Sequence, residues 1–214
     1  MKANESLPSN YSKYTVLEPS KKTLFVISAV VTGILLLLII GWLLVLFVNA
    51  LRPTALDGMR LQDLLRSTTA GFSLAIPPAL FRNFGLALIA ALILHELVHG
   101  LFYWLFSSRR PKFGVQGLFP YAAAPSGVYF PRNQFLVVGL SPLVLFTAVG
   151  LLLMVIVPIA FVPFLLFFVA VNASGAAGDL IMVIQLMPFS SDTWMEDNDS
   201  GVIIYGPERG RNAA

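Results

Sequence analysis

Apolar residues in this chain fall into long uninterrupted runs separated by charge. Between Lys22 and Arg52 no charged residue occurs, and "LFVISAVVTGILLLLIIGWLLVLFV" fills most of the gap. Between Arg132 and Asp192 the only charge is Asp179. A helix needs about 20 apolar residues to cross a hydrocarbon core, so both gaps are long enough. The pattern predicts four spans, at about Leu24–Asn49, Phe84–Phe106, Phe135–Val157 and Phe164–Met187. Pro158 and Pro163 bracket "PIAFVP", a turn between the third and fourth spans, because proline disfavours continuing a helix. The first run exceeds the roughly 7–15 residues of a signal-peptide core and follows a polar stretch, so it reads as an uncleaved span.

The segments between the runs differ in kind. "LDGMRLQDLLRS" puts Leu56, Met59 and Leu64 near one helical face among charged residues, the pattern of an interfacial helix. "TTAGFSLAIPPALF" is too short to span and predicts a half-buried lead-in to the second span. "PKFGVQGLFPYAAAPSGVYFPRNQ" mixes aromatics, glycines and prolines with few charges, so it is no helix, yet it is apolar for a water-washed loop. Non-helical backbone at membrane depth is tolerated only where it packs on protein or lines a cavity. Two readings follow: a re-entrant β-hairpin, or a loop lying on the headgroups. The fold expected is an all-α integral membrane protein of about four transmembrane helices, with that hairpin between spans two and three. Its parts are a cytoplasmic N-terminal segment (1–23), a membrane-embedded domain (24–188) and a polar C-terminal tail (189–214) in which no motif is legible.

Composition agrees with a lipid solvent. The chain is 57% apolar and 12% charged, against about a quarter charged in soluble domains, and its mean hydropathy is +0.81. It has no cysteine, which excludes disulfides and thiolate metal sites. The formal charge is only +3 and the basic residues flank apolar runs, so they read as topology determinants and not as a nucleic-acid surface. Four spans put Lys2, Lys13, Lys21, Lys22, Arg109, Arg110, Lys112, Arg132, Arg209 and Arg211 on one side, and Arg52, Arg60, Arg66 and Arg82 on the other. Ten against four predicts both termini in the cytoplasm.

Candidate chemistry sits inside the second run, in "HELVHG". At about 100° per residue, His95 and His99 share a helical face about 40° apart, and Glu96 lies about 60° further round. Two imidazoles one turn apart can bind one metal ion while the carboxylate reaches a water, the arrangement of zinc peptidases with Glu as general base. These are the chain's only two histidines. An ionisable group within a span is a functional hypothesis by default.

A catalytic zinc site takes three protein ligands and keeps one position open. With no third histidine and no cysteine, the third ligand must be a carboxylate. Of eleven acids, nine lie outside the apolar spans and Glu96 is the base, which leaves Asp179 in "NASGAAGDL". Depth agrees: Asp179 lies about 13 Å of helix before Pro188, and His95 about 16 Å before Phe106. Ser174, Gly175, Ala176, Ala177 and Gly178 are read as small residues for close helix packing. Asn172 shares a stripe with Gly175 and Asp179 if the helix is continuous. Its amide suits either an interhelical hydrogen bond or contact with a substrate backbone.

"HELVHG" in one span and "NASGAAGDL" in a later one, separated by "YAAAPSGVYFPRNQFLVVGLSPLV", resemble the bacterial family called putative zincin peptidases, domain of unknown function 3267. That family is similar to the site-2 proteases, which are intramembrane zinc metalloproteases. The resemblance covers about Leu88 to Leu186. It implies Zn2+ held by His95, His99 and Asp179, Glu96 as catalytic acid/base, and a multi-pass protein of a prokaryotic cell membrane. In site-2 proteases the third ligand sits in an Asp-Gly motif, whereas Asp179 follows a glycine and precedes Leu180. The activity expected is hydrolysis of a membrane-protein or peptide substrate near the cytoplasmic leaflet, with the lipid bilayer as the other partner. The alternative is a non-enzymatic membrane protein that binds or carries a divalent metal through the same residues. Glu96 separates the two, since a carrier has no need of a general base beside a ligand.

Overall fold

The computed structural model describes residues 3–17, 22–68, 71–117, 119–198 and 201–208. In chain order the elements are strand β1 (Tyr11–Leu17), helix α1 (Lys22–Leu51), the single-turn helix α2 (Leu61–Leu64), strands β2 (Leu65–Thr68) and β3 (Gly71–Leu74), helix α3 (Pro78–Ser107), strands β4 (Lys112–Gln116), β5 (Phe119–Ala123) and β6 (Phe130–Pro131), helices α4 (Arg132–Ile156), α5 (Val162–Gly175) and α6 (Ala177–Leu186), and strands β7 (Trp194–Asn198) and β8 (Gly201–Pro207). A 3-10 turn, Ile159–Phe161, carries the "PIAFVP" connection.

Three of the helices are long and apolar enough to cross a membrane: Thr23–Leu51, Pro78–Ser107 and Arg132–Ile156. The predicted fourth span falls on a bent pair, Ile159–Gly175 with Ala177–Leu186, broken at Ala176, which makes a fourth span if the pair crosses as one. The chain is also less purely helical than its apolar runs suggest. "LDGMRLQDLLRS" is no continuous helix but runs through turns and the single-turn α2 into β2, and "TTAGFSLAIPPALF" holds the β3 half of a β2–β3 hairpin before α3 begins at Pro78. Proline at a helix start costs no hydrogen bond, because the first amides have no partner within the helix.

The chain divides into two compact units. The first gathers Met1–Val31, Leu94–Pro142 and Ala176–Ala214. It holds an antiparallel sheet in the order β1-β8-β7-β6. Its central strand β8 buries alternate residues, Val202 and Ile204 among them, the period-2 signature of a sheet with one face on a core. That core joins Val202, Ile204 and Met195 to Tyr103, Phe130, Phe135, Val138 and Leu186. Arg132 donates to the carbonyls of Leu186 (3.3 Å) and Met187 (2.6 Å), so a cation caps the C-terminal end of α6.

The second unit, Thr32–Ile93 with Leu143–Gly175, has its own core of Leu44, Val48, Ala87, Ala91, Met154, Val162 and Val169. A methyl group at Gly150 would lie 2.2 Å from Val169 Cγ2, so the missing side chain is what lets α4 and α5 approach. Arg52 donates to the carbonyls of Met154 (3.3 Å), Val155 (3.4 Å) and Val157, which have lost their helical partners at the end of α4. Large apolar side chains stand exposed along the long helices, including Leu38 and Trp42 on α1, Ile89 on α3 and Leu152 on α4.

Candidate metal centre

All the residues of the centre belong to the first unit. Helix α3 presents His95 and His99 on one face, as their spacing requires, and α6 presents Asp179 in its first turn. His95 Nε2 lies 3.0 Å from Asp179 Oδ2. His99 Nε2 lies 3.2 Å from His95 Nε2 and 3.3 Å from the same carboxylate oxygen. Three potential ligand atoms thus form a nearly equilateral triangle. Bonds of about 2.0–2.1 Å in tetrahedral geometry put ligand atoms about 3.3–3.4 Å apart, so the triangle fits one zinc ion.

Hydrogen bonding sharpens the fit. His99 Nδ1 lies 2.9 Å from the carbonyl oxygen of Val138, which can only accept, so the ring proton belongs on Nδ1. A neutral His99 ring then points its Nε2 lone pair at the carboxylate and at the other imidazole. A cation at their meeting point satisfies all of them at once. Both imidazoles are buried, whereas the Asp179 side chain is 30% exposed and lines a cavity of about 330 Å³ together with Glu96 and His99. Gly178 lines the same cavity, and a side chain built there would meet open space. Gly175 likewise touches nothing that a methyl group would displace, while Ala173, Ala176 and Ala177 are buried. In the run "NASGAAG" the alanines pack and the glycines do not, contrary to the packing role expected of both.

Glu96 reaches the cavity from the other side of the helical face. Its Oε2 accepts the Ala122 N–H of β5 at 2.7 Å. The segment between the second and third predicted spans does contain a hairpin, β4 paired antiparallel with β5 from Lys112↔Ala123 to Gln116↔Phe119. It is fastened to α3 at a second point. A methyl group at Gly100 would lie 2.3 Å from Phe113 Cζ, so the glycine closing "HELVHG" is the seat of a β4 aromatic ring. Overpacking such a contact costs about 1–3 kcal/mol. Gly100→Ala is therefore expected to speed hydrogen exchange of the β4–β5 amides roughly tenfold. Unchanged exchange would mean that the ring simply turns aside.

A third fastening comes from a residue that sequence reasoning set aside. Asp197 of β7 also lines the cavity. Its Oδ2 accepts the Ala124 N–H at 3.2 Å and the Tyr103 hydroxyl at 3.4 Å. Ala122 and Ala124 are two residues apart, so their N–H groups leave the same edge of the extended chain. One is held by Glu96 and the other by Asp197. The nearest signal in the sequence is the β-branched and aromatic run "VIIY" between two glycines, which suits a strand at β8. Asn172 is buried on α5 in the second unit and is not among the residues lining the cavity.

Two histidines one turn apart, an aspartate from a second helix and a glutamate on the shared cavity define a helical protein with a candidate His–His–Asp metal centre. The chain belongs to the putative zincin peptidase family, domain of unknown function 3267, whose family model matches residues 88–194. That match spans every residue of the centre and β7 only as far as Trp194. Comparison with curated proteins and with solved structures gave no match.

Proposed function

We propose that the chain is a membrane-embedded zinc endopeptidase that cuts membrane-associated substrates near the cytoplasmic leaflet. The observation that carries this reading is the triangle of His95, His99 and Asp179 ligand atoms, 3.0–3.3 Å on a side, with Glu96 on the same cavity. His95, His99 and Asp179 would hold the ion. Zinc, when bound, polarises a peptide carbonyl and makes water more acidic. Glu96 takes a proton from the attacking water and delivers it to the departing amine nitrogen, so the carboxylate is regenerated as the C–N bond breaks. The Ala122 N–H fixes one Glu96 oxygen and limits the directions in which the other can point. The Val138 carbonyl does the same for the His99 ring.

A transmembrane helix hides its peptide bonds in internal hydrogen bonds, so a substrate must unwind before it reaches the cavity. The β4–β5 hairpin is a two-stranded sheet whose N–H groups at Ala122, in β5, and Ala124, just after it, are taken by Glu96 and Asp197, so an extended segment would pair along its β4 edge. The test is co-expression with single-span proteins, followed by detection of truncated fragments. Substrates with Gly, Pro or Asn inside the span are expected to be cut fastest, because their helices open at lower cost.

The same reading makes this a multi-pass protein of a prokaryotic cell membrane with both termini in the cytoplasm. Reporter fusions at the two ends are expected to read inside, and a fusion at Gly58 outside. A cytoplasmic signal at Gly58 would require another crossing near the β2–β3 hairpin.

A further inference from the structure

Helix α4 contains Pro142, which is almost wholly buried. In an α-helix the amide of residue 142 donates to the carbonyl of residue 138. Proline has no amide hydrogen, so the Val138 carbonyl is released from the helical ladder. That carbonyl does not lack for donors. His99 Nδ1 lies 2.9 Å from it, and the Ser141 hydroxyl donates to it at 2.8 Å. One oxygen with two lone pairs therefore receives a side chain of its own helix and an imidazole from α3. The neighbouring residues make this more than an ordinary proline kink, in which the freed carbonyl is merely re-satisfied locally. The imidazole it receives is one of the two that form the ligand triangle, and the bond goes to the nitrogen facing away from that triangle.

We propose that Pro142 is a positioning residue of the metal centre: by withholding its amide it reserves the Val138 carbonyl for His99, fixing that ring's tautomer and direction. A ligating histidine is commonly oriented through its other nitrogen in this way. The unusual element is the origin of the acceptor, a backbone carbonyl made available by a missing donor within an apolar helix. The inference rests on the reading of His95, His99 and Asp179 as metal ligands, and it makes a prediction that survives without it.

Pro142→Ala returns the amide to the helix, where it competes for the carbonyl. Alanine also suits a helix interior far better than proline, so the variant is expected to fold with no lower thermal midpoint in its metal-free form. Zinc affinity, measured by chelator competition on detergent-purified protein, is expected to fall about 10–100-fold. Ser141→Ala, which leaves the proline in place, is expected to keep affinity within about threefold of wild type, since the His99 bond remains. The chain has only two histidines, so protein labelled with 15N in histidine alone gives two imidazole spectra. In wild type one ring should show a slowly exchanging Nδ1 proton, and in Pro142→Ala that proton should exchange faster.

Wild-type zinc affinity in Pro142→Ala with an unchanged Nδ1 proton overturns the inference. If wild type binds no zinc, the metal reading fails, yet the Nδ1 signal still decides whether Pro142 governs the His99 bond. Should Pro142→Ala not fold, Pro142→Gly takes its place. Failure of both to fold overturns the inference, because the proline would then serve the helix and not the histidine.

Discussion

Glu96→Gln is expected to retain about one zinc per chain, as a mononuclear site requires, and to lose nearly all turnover. Glutamine keeps the size of the side chain and an oxygen that can accept the Ala122 N–H, so the hairpin stays fastened. What disappears is a group able to take a proton from water. Removing a general base costs about 10²–10⁴-fold in rate. The measurement is fragment formation from a co-expressed single-span substrate, wild type against variant, with zinc content read from the same preparations. Cleavage at the wild-type rate would defeat the peptidase reading, whatever the metal analysis shows. A metal carrier behaves differently: flux should survive the change, because no proton is delivered to an amide nitrogen.

The second large effect concerns the ion itself. His95→Ala, His99→Ala and Asp179→Ala each remove one corner of the triangle, and each is expected to abolish stoichiometric zinc. A ligand present at about a thousandfold its dissociation constant stabilises the folded state by about 4 kcal/mol. Chelation should therefore lower the thermal midpoint of wild type and leave the three variants nearly unmoved. Full zinc occupancy in Asp179→Ala would mean that another oxygen completes the site, and the convergence of Asp179 with the histidines would need a different explanation.

The convergence of His95, His99 and Asp179 was legible in the sequence because these residues stand against their surroundings. Two histidines and a glutamate within apolar residues have few structural uses, and the absence of cysteine narrowed the third ligand to a carboxylate that only one apolar run supplied. The long helices were legible for a similar reason, since charge-free runs of that length have few alternatives. The break at Ala176 was not, because hydropathy is indifferent to whether a run is one helix or two. Pro142 passed unnoticed for the same cause: an apolar run read by its missing charges does not register a missing amide. Asp197 was set aside because it lies in an acidic stretch beyond the last apolar run. Its place on the cavity depends on β7 pairing with β8 and with β6, and long-range register is not written in local pattern. The strands β1 and β8 illustrate the limit most directly: Tyr11 pairs with Pro207, and neither segment announces the other.

That pairing also sets an order of events during synthesis. β8 is the middle strand between β1 and β7, so until residues 201–207 have left the ribosome β1 lacks its strand partner and β7 has only its two-residue pairing with β6. A ribosome moves at about 5–20 residues per second, so β1 waits roughly 10–40 seconds for its mate. Helices need no such delay, because their hydrogen bonds are local. The histidine-bearing helix therefore exists well before β7 can present Asp197 to Ala124 and Tyr103. A nascent chain would carry its two histidines early and acquire Asp179, and then the Asp197 wall of the cavity, only late, so the candidate metal centre stays incomplete until residues 179–197 have been made.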